Sequence, residues 1–148
     1  MEEDFNELKL ENQICFPLYA CSKEITRRYA PLLEKLDLTY TQYLAMMVLW
    51  EEKEINVKEL GKKLFLDSGT LTPLLKKLEA KGYVNRKRSK NDERNLIISI
   101  TEKGMDLRKD AKFVPRELSK CVKLERYEAL TLYKTLYKIL DYFKEEEK

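Results

Sequence analysis

Cys15 and Tyr19 stand four residues apart at the start of a stretch patterned like a helix. That spacing puts a thiol and a phenol on one helical face, one turn apart. Near a helix N-terminus, backbone N–H groups and the helix dipole favour an anion, and the thiolate is the reactive form of cysteine. The phenol can donate a hydrogen bond to that thiolate. An ordinary buried thiol among core aromatics fits the spacing as well. Cys21 follows six residues after Cys15, on another face and beyond disulfide reach. With Cys121 the cysteines number three, an odd count that argues against a structural disulfide framework. Three widely spaced thiols also make a poor zinc pattern. The chain has no histidine, which removes Ser-His-Asp triads, histidine acid–base catalysis and most catalytic zinc sites. Its four glycines form no phosphate loop. No metal or cofactor is implied.

The helix that would carry Cys15 is expected from about Glu11 to Leu36, after an acidic start that should be frayed. Ile14, Phe16, Leu18, Tyr19, Ile25, Tyr29, Leu32, Leu33 and Leu36 are too many for one stripe, so it should pack on more than one side. Pro17 is tolerable in its first turns, whereas Pro31 should bend or interrupt it. Thr39 or Thr41 then caps a helix over Gln42 to Glu52, whose apolar residues make it the central core helix. A polar loop over 51–56 follows, with a short strand at Ile55 able to pair with strands downstream.

From Val57 to Ile100 the pattern is helix, tight turn, helix, two strands. Val57, Leu60 and Leu64, then Leu71, Leu74, Leu75 and Leu78, recur at helical spacing. Asp67 or Ser68 caps the second helix, and Gly82 ends it at C′. Strands over Tyr83 to Arg88 and Leu96 to Ile100 flank the polar turn 89–93. This is a winged helix-turn-helix, and the fold class is mainly α with a small β-wing. Residues 57–100 hold eleven Lys/Arg against five Asp/Glu, whereas the rest of the chain is net acidic. The positive excess therefore lies on the unit whose second helix would enter a DNA major groove.

Thr101 caps the next helix, which runs to about Lys112; a break is expected at Phe113-Val114-Pro115. The last helix spans about Leu124 to Lys144. Ala129, Leu132, Leu136, Ile139 and Phe143 form one apolar stripe, and Tyr127, Leu130, Tyr133, Tyr137 and Leu140 a second. A terminal helix apolar on two sides needs two partners, which implies a homodimer built from the N- and C-terminal helices. The alternative is burial of both stripes within one monomer. The reading is one domain over 1–148, with 1–38 and 113–148 as dimerisation helices and 39–112 as the DNA-binding lobe.

The order of helices around the wing resembles the multiple-antibiotic-resistance regulator (MarR) family. Asp67-Ser68-Gly69-Thr70-Leu71-Thr72-Pro73-Leu74-Leu75-Lys76 is similar to its recognition helix, and Asp92-Glu93-Arg94 to its wing-tip Asp-x-Arg. Lys9-Leu10-Glu11-Asn12-Gln13-Ile14-Cys15-Phe16 and Leu38-Thr39-Tyr40-Thr41-Gln42-Tyr43-Leu44 resemble the organic hydroperoxide resistance regulators (OhrR) within that family. The likeness spans nearly the whole chain and loosens in the last two helices.

The resemblance implies a transcriptional repressor that binds a palindromic double-stranded operator as a homodimer and is released when an organic hydroperoxide oxidises Cys15. It implies that two tyrosines, at positions matching Tyr29 and Tyr40, reach the reactive thiol from the other subunit. It also offers Cys121 as a resolving thiol, with small thiols as the other route and an incidental role equally open. Ser68, Thr70 and Thr72 should meet phosphates or base edges, Pro73 offers apolar contact to a group such as a thymine methyl, and Lys76 and Lys77 should meet the backbone. Arg86, Lys87, Arg88 and Lys90 supply wing charge, and Arg94, braced by Asp92, enters the minor groove. A surface ion pair holding the turn is the plainer role for Asp92 and Arg94. Other readings remain: a repressor released by a phenolic or lipophilic ligand with Cys15 a bystander, an architectural DNA-binding dimer, or a thiol peroxidase. The last lacks a thioredoxin-like βαβ pattern, so no enzyme is expected. No apolar run spans a bilayer and no signal-peptide pattern opens the chain, so no membrane partner and a cytoplasmic location are expected.

Overall fold

The computed structural model describes residues 4–92 and 94–146. The expected fraying of residues 1–3, and Glu93 in the wing turn, lie outside the described residues. Two 3-10 turns, Asn6–Leu8 and Leu10–Asn12, precede α1 (Cys15–Glu34). Then come α2 (Tyr40–Glu52), β1 (Glu54–Asn56), α3 (Val57–Leu64), α4 (Ser68–Ala80), β2 (Val84–Arg88), β3 (Leu96–Ile100), α5 (Glu102–Ala111), α6 (Phe113–Ser119) and α7 (Arg126–Glu146). The chain forms two compact units, Met1–Leu118 and Ser119–Lys148. The mainly helical class with a small antiparallel sheet is the one read from the sequence.

In the first unit α2 is the centre. Gln42, Tyr43, Ala45, Met46 and Leu49 are buried on it, and Leu60, Leu71, Leu75, Leu78, Val84 and Ile98 complete the core. Thr39 starts α2 with a reciprocal capping box: its hydroxyl accepts from the Gln42 amide, and the Gln42 side chain accepts from the Thr39 amide. Gln42 is buried because that second bond satisfies it. The sheet order is β1-β3-β2, all antiparallel, with Ile55 opposite Ile98 and Arg86 opposite Ile98 on the other side. The short strand at Ile55 thus joins the wing as expected. Gly82 takes a left-handed φ of 78° one residue past the α4 cap.

Several boundaries differ from expectation by a few residues, and four differences have a local reason. The first helix starts at Cys15 rather than near Glu11. The Asn12 side chain donates to the Asn6 carbonyl at 2.7 Å, and Gln13 donates to the carbonyls of Glu7 and Lys9. These side chains hold the preceding residues in tight turns and compete with helix. Pro31 does not interrupt α1, which continues to Glu34; only one turn remains after it, so few bonds are at stake. β2 begins at Val84, not Tyr83, because the Tyr83 amide closes the α4 end on the Leu78 carbonyl. The break near Pro115 is a fresh start: α6 opens at Phe113 with Pro115 in its first turn, where a missing N–H costs little.

The second unit is dominated by α7, on which no described residue is buried. Tyr127, Leu130, Leu132, Tyr133, Tyr137, Ile139 and Phe143 are all exposed, and Leu136 and Leu140 are half-buried. The two apolar stripes of α7 thus lie largely exposed. No described helix is long and apolar enough to cross a membrane.

Candidate functional site

Cys15 is the first residue of α1 and is exposed. Ile14, at the cap position, provides no side-chain acceptor for the first amides. The start of the helix thus lacks the side-chain oxygen that usually takes those N–H groups. Tyr19 is 61% exposed one turn along, and Lys23 one turn further places Nζ 5.1 Å from the Tyr19 ring centroid. Lys23 was not picked out from sequence, although the continued four-residue spacing is a visible signal.

Tyr29 and Tyr40 meet each other, not Cys15. Their ring centroids are 4.7 Å apart, and Tyr43 lies 6.0 Å from Tyr29. Burial pushes the Tyr29 hydroxyl up to about 12, and neighbouring phenols add to the rise. Burial raises Tyr40 and Tyr43 as well. All three stay protonated in any physiological medium, so each hydroxyl keeps a proton to donate. Fourteen residues of continuous helix separate Cys15 from Tyr29, a rise of about 21 Å at 1.5 Å per residue. One chain therefore carries the thiol and the tyrosine pair at two distant places. Cys21 is exposed on α1, and Cys121 is exposed ahead of α7 in the second unit.

The helix-turn-helix is α3 and α4. A Cβ on Gly61 would come within 2.7 Å of the Leu66 carbonyl oxygen, so glycine lets the turn pack against α3. Asp67 caps α4, accepting from the Thr70 amide at 2.8 Å. Leu71, Leu74, Leu75 and Leu78 turn into the core. The opposite side presents Ser68, Thr70, Thr72, Pro73, Lys76 and Lys77, all exposed. The Thr72 hydroxyl donates to the Ser68 carbonyl at 2.8 Å.

On the wing, Lys87, Arg88, Lys90 and Arg94 are exposed. Asp92 accepts from the Arg94 backbone amide at 3.0 Å and from the Asn95 side chain at 3.4 Å, while the Ser89 amide donates to the Asn95 carbonyl at 2.7 Å. Asp92 thus acts on Arg94 through its backbone. Arg86 differs from these wing cations: it is half-buried and its Nε donates to Glu79 Oε2 at 2.7 Å. Glu79 was not singled out from sequence, because a carboxylate seven residues ahead of an arginine across a turn has no fixed spacing signal.

The chain matches the family model for the SarA/Rot transcriptional regulators over residues 27–111. It is 48% identical over 141 residues to the organic hydroperoxide resistance transcriptional regulator of Bacillus subtilis, covering 95% of this chain and 96% of that protein. Reduced AbfR bound to DNA superposes with a TM-score of 0.78 at 33% identity, over 93% of this chain and 96% of AbfR. AbfR is also known in an overoxidised, DNA-bound form and in a disulfide form. A mutant MarR from Escherichia coli, complexed with operator DNA, superposes with a TM-score of 0.80 at 26% identity, over 93% of this chain and 99% of that one. With exposed Cys15 leading α1 and a basic winged helix-turn-helix behind it, the chain belongs to the MarR family of transcriptional regulators and to its organic hydroperoxide resistance subfamily.

Proposed function

We propose that this protein is a homodimeric repressor that holds a palindromic operator in its reduced form and releases it when an organic hydroperoxide oxidises Cys15. One observation carries the reading. Cys15 is an exposed thiol at a helix start, and the protonated Tyr29–Tyr40 pair lies too far along the same chain to serve it. A second copy supplies both deficits: tyrosines for the thiol and cover for the apolar faces of α1 and α7. On this reading 1–38 and 113–148 form the dimer helices and 39–112 the DNA-binding lobe.

The chemistry follows from the donors. Cys15 thiolate attacks the distal peroxide oxygen, an S–O bond forms and the O–O bond breaks. The alkoxide leaves as an alcohol with one proton drawn from solvent through the phenols. The sulfur ends as sulfenic acid, the first reversible rung of thiol oxidation. A second thiol, Cys121 of the partner subunit or a small thiol, then condenses with it to a disulfide and releases water. On the DNA side, Ser68, Thr70, Thr72 and Pro73 meet the major groove, Lys76, Lys77, Lys87, Arg88 and Lys90 the phosphates, and Arg94 the minor groove. The protein works in the cytoplasm with its DNA and has no catalytic turnover. Peroxide consumption sustained by a thiol reductant would contradict that.

Non-reducing gels after stoichiometric peroxide test the resolving step. A cross-linked dimer in the wild type that disappears in Cys121→Ser supports it; the same dimer in that variant removes Cys121 from the mechanism. A ligand-released regulator remains the second reading because an open hollow of about 700 Å³ lies beside Tyr40, Pro31 and Lys81. Release of DNA by a phenolic compound in Cys15→Ser would favour it.

A further inference from the structure

Arg86 is a wing cation whose charge is met from inside the lobe. Its Nε donates to Glu79 Oε2 at 2.7 Å and its backbone amide donates to Glu79 Oε1 at 3.2 Å. Both carboxylate oxygens of one residue are thus engaged by one residue of the wing. Side-chain exposure is 24% for Arg86 and 36% for Glu79, so the pair is shielded more than the Lys62–Glu59 and Lys63–Glu52 pairs on α3. Arg86 also holds the Glu79 carboxyl below its ordinary range, so the clasp stays charged at any pH at which the protein works.

The position of this clasp matters. Glu79 lies in the last turn of α4, on the helix that carries Lys76 and Lys77. Arg86 is the middle residue of β2, opposite Ile98. β2 is an edge of the sheet, and outward amides of an edge strand have no sheet partner. Glu79 takes one such amide and the guanidinium beside it. The contact fixes both the distance and the rotation of β2 relative to α4, and β2 leads directly to Lys90, Asp92 and Arg94.

We infer that Glu79 is a positioning residue for operator binding: by clasping Arg86 it sets the angle between recognition helix and wing, so that both grooves are engaged at once. This rests on the operator-binding reading above. It assigns a function to a carboxylate that simple electrostatics would call harmful, since a negative charge beside phosphates opposes binding. It also removes Arg86 from the residues expected to touch DNA.

The two views predict opposite signs, which makes the test direct. Reduced full-length protein is titrated by fluorescence anisotropy onto duplex DNA from upstream of its own gene, with Glu79→Gln, Arg86→Gln and the double variant alongside. At Glu79, glutamine keeps the size and the helix propensity. The inference predicts binding about three- to tenfold weaker for E79Q, the scale of a half-shielded ion pair. It predicts that the double variant binds no worse than R86Q. A hydroxyl-radical footprint of E79Q should lose the outer, wing-side protection and keep that of the recognition helix. Equal or tighter binding by E79Q would overturn the inference, with Arg86 then a direct phosphate contact. Uniform loss of both protections together with a lower urea midpoint would overturn it too, leaving only a stability role. If wild type does not bind this DNA, the operator reading itself fails and takes the inference with it.

Discussion

Tyr29 combines two properties that bear on function: its hydroxyl is held protonated by burial, and it sits far from its own chain's thiol. Its pKa is raised from the ordinary 10.0 to about 12. The neutral phenol is therefore favoured by the fold. The stability it contributes is fully present below about pH 10 and is lost as pH rises through about 12. Absorbance titration of phenolate should show a late phase whose amplitude shrinks in Tyr29→Phe; a single phase unchanged by that variant would contradict the burial argument. Arg94 gives a second residue-level outcome. Arg94→Ala should weaken operator binding by about 1–3 kcal/mol and reduce the salt slope by about one. Unchanged affinity would remove Arg94 from the interface. At this scale the sequence was partly legible. Cys15 and Tyr19 declare themselves by spacing, whereas the depth of Tyr29 and Tyr40 depends on how α1 crosses α2, and Glu79–Arg86 depends on a turn whose geometry no spacing encodes.

Among the elements, the two glycines at close approaches determine whether the reader assembles. On Gly61 a Cβ would press on the Leu66 carbonyl within the helix-turn-helix. On Gly104 it would run into the Tyr83 carbonyl and meet Ile100 Cγ1 at 2.9 Å, where α5 packs on the base of the wing. The same Gly104 carbonyl accepts from Trp50 Nε1 at 2.8 Å, tying α5 to the core helix. Gly104→Ala should cost about 1–3 kcal/mol of stability by overpacking. Urea denaturation checks this; a midpoint equal to wild type would mean that the contact relaxes freely. Element types and order were readable because periods of 3.6 and 2 residues differ and the caps Thr39, Asp67 and Thr101 mark starts chemically. The late start of α1 was not, because it is decided by Asn12 and Gln13 reaching back to carbonyls rather than by apolar spacing.

For the whole molecule, the unsatisfied surface is informative. Apolar side chains on α7 and at the start of α1 are exposed in a single chain, including Ile14 at 83% and Tyr127 at 70%. Exposed apolar area of this kind marks an interface, and two-fold symmetry suits a reader of paired half-sites. Sedimentation should give a dimer at micromolar concentration, and Leu130→Glu with Tyr137→Glu should shift it toward monomer and abolish operator binding together. Monomers that still bind the full palindrome tightly would contradict the dimeric account. The sequence disclosed the need for a partner through two stripes on one helix, but not its geometry, since that depends on a second surface of equal shape.

The central claim is that one thiol, Cys15, converts peroxide into release of DNA. The most direct measurement is fluorescence anisotropy of the reduced protein on the DNA upstream of its own gene, titrated with an organic hydroperoxide, with wild type beside Cys15→Ser. The account predicts that near-stoichiometric peroxide releases the wild type while Cys15→Ser stays bound. Release in both, or retention in both, would contradict it.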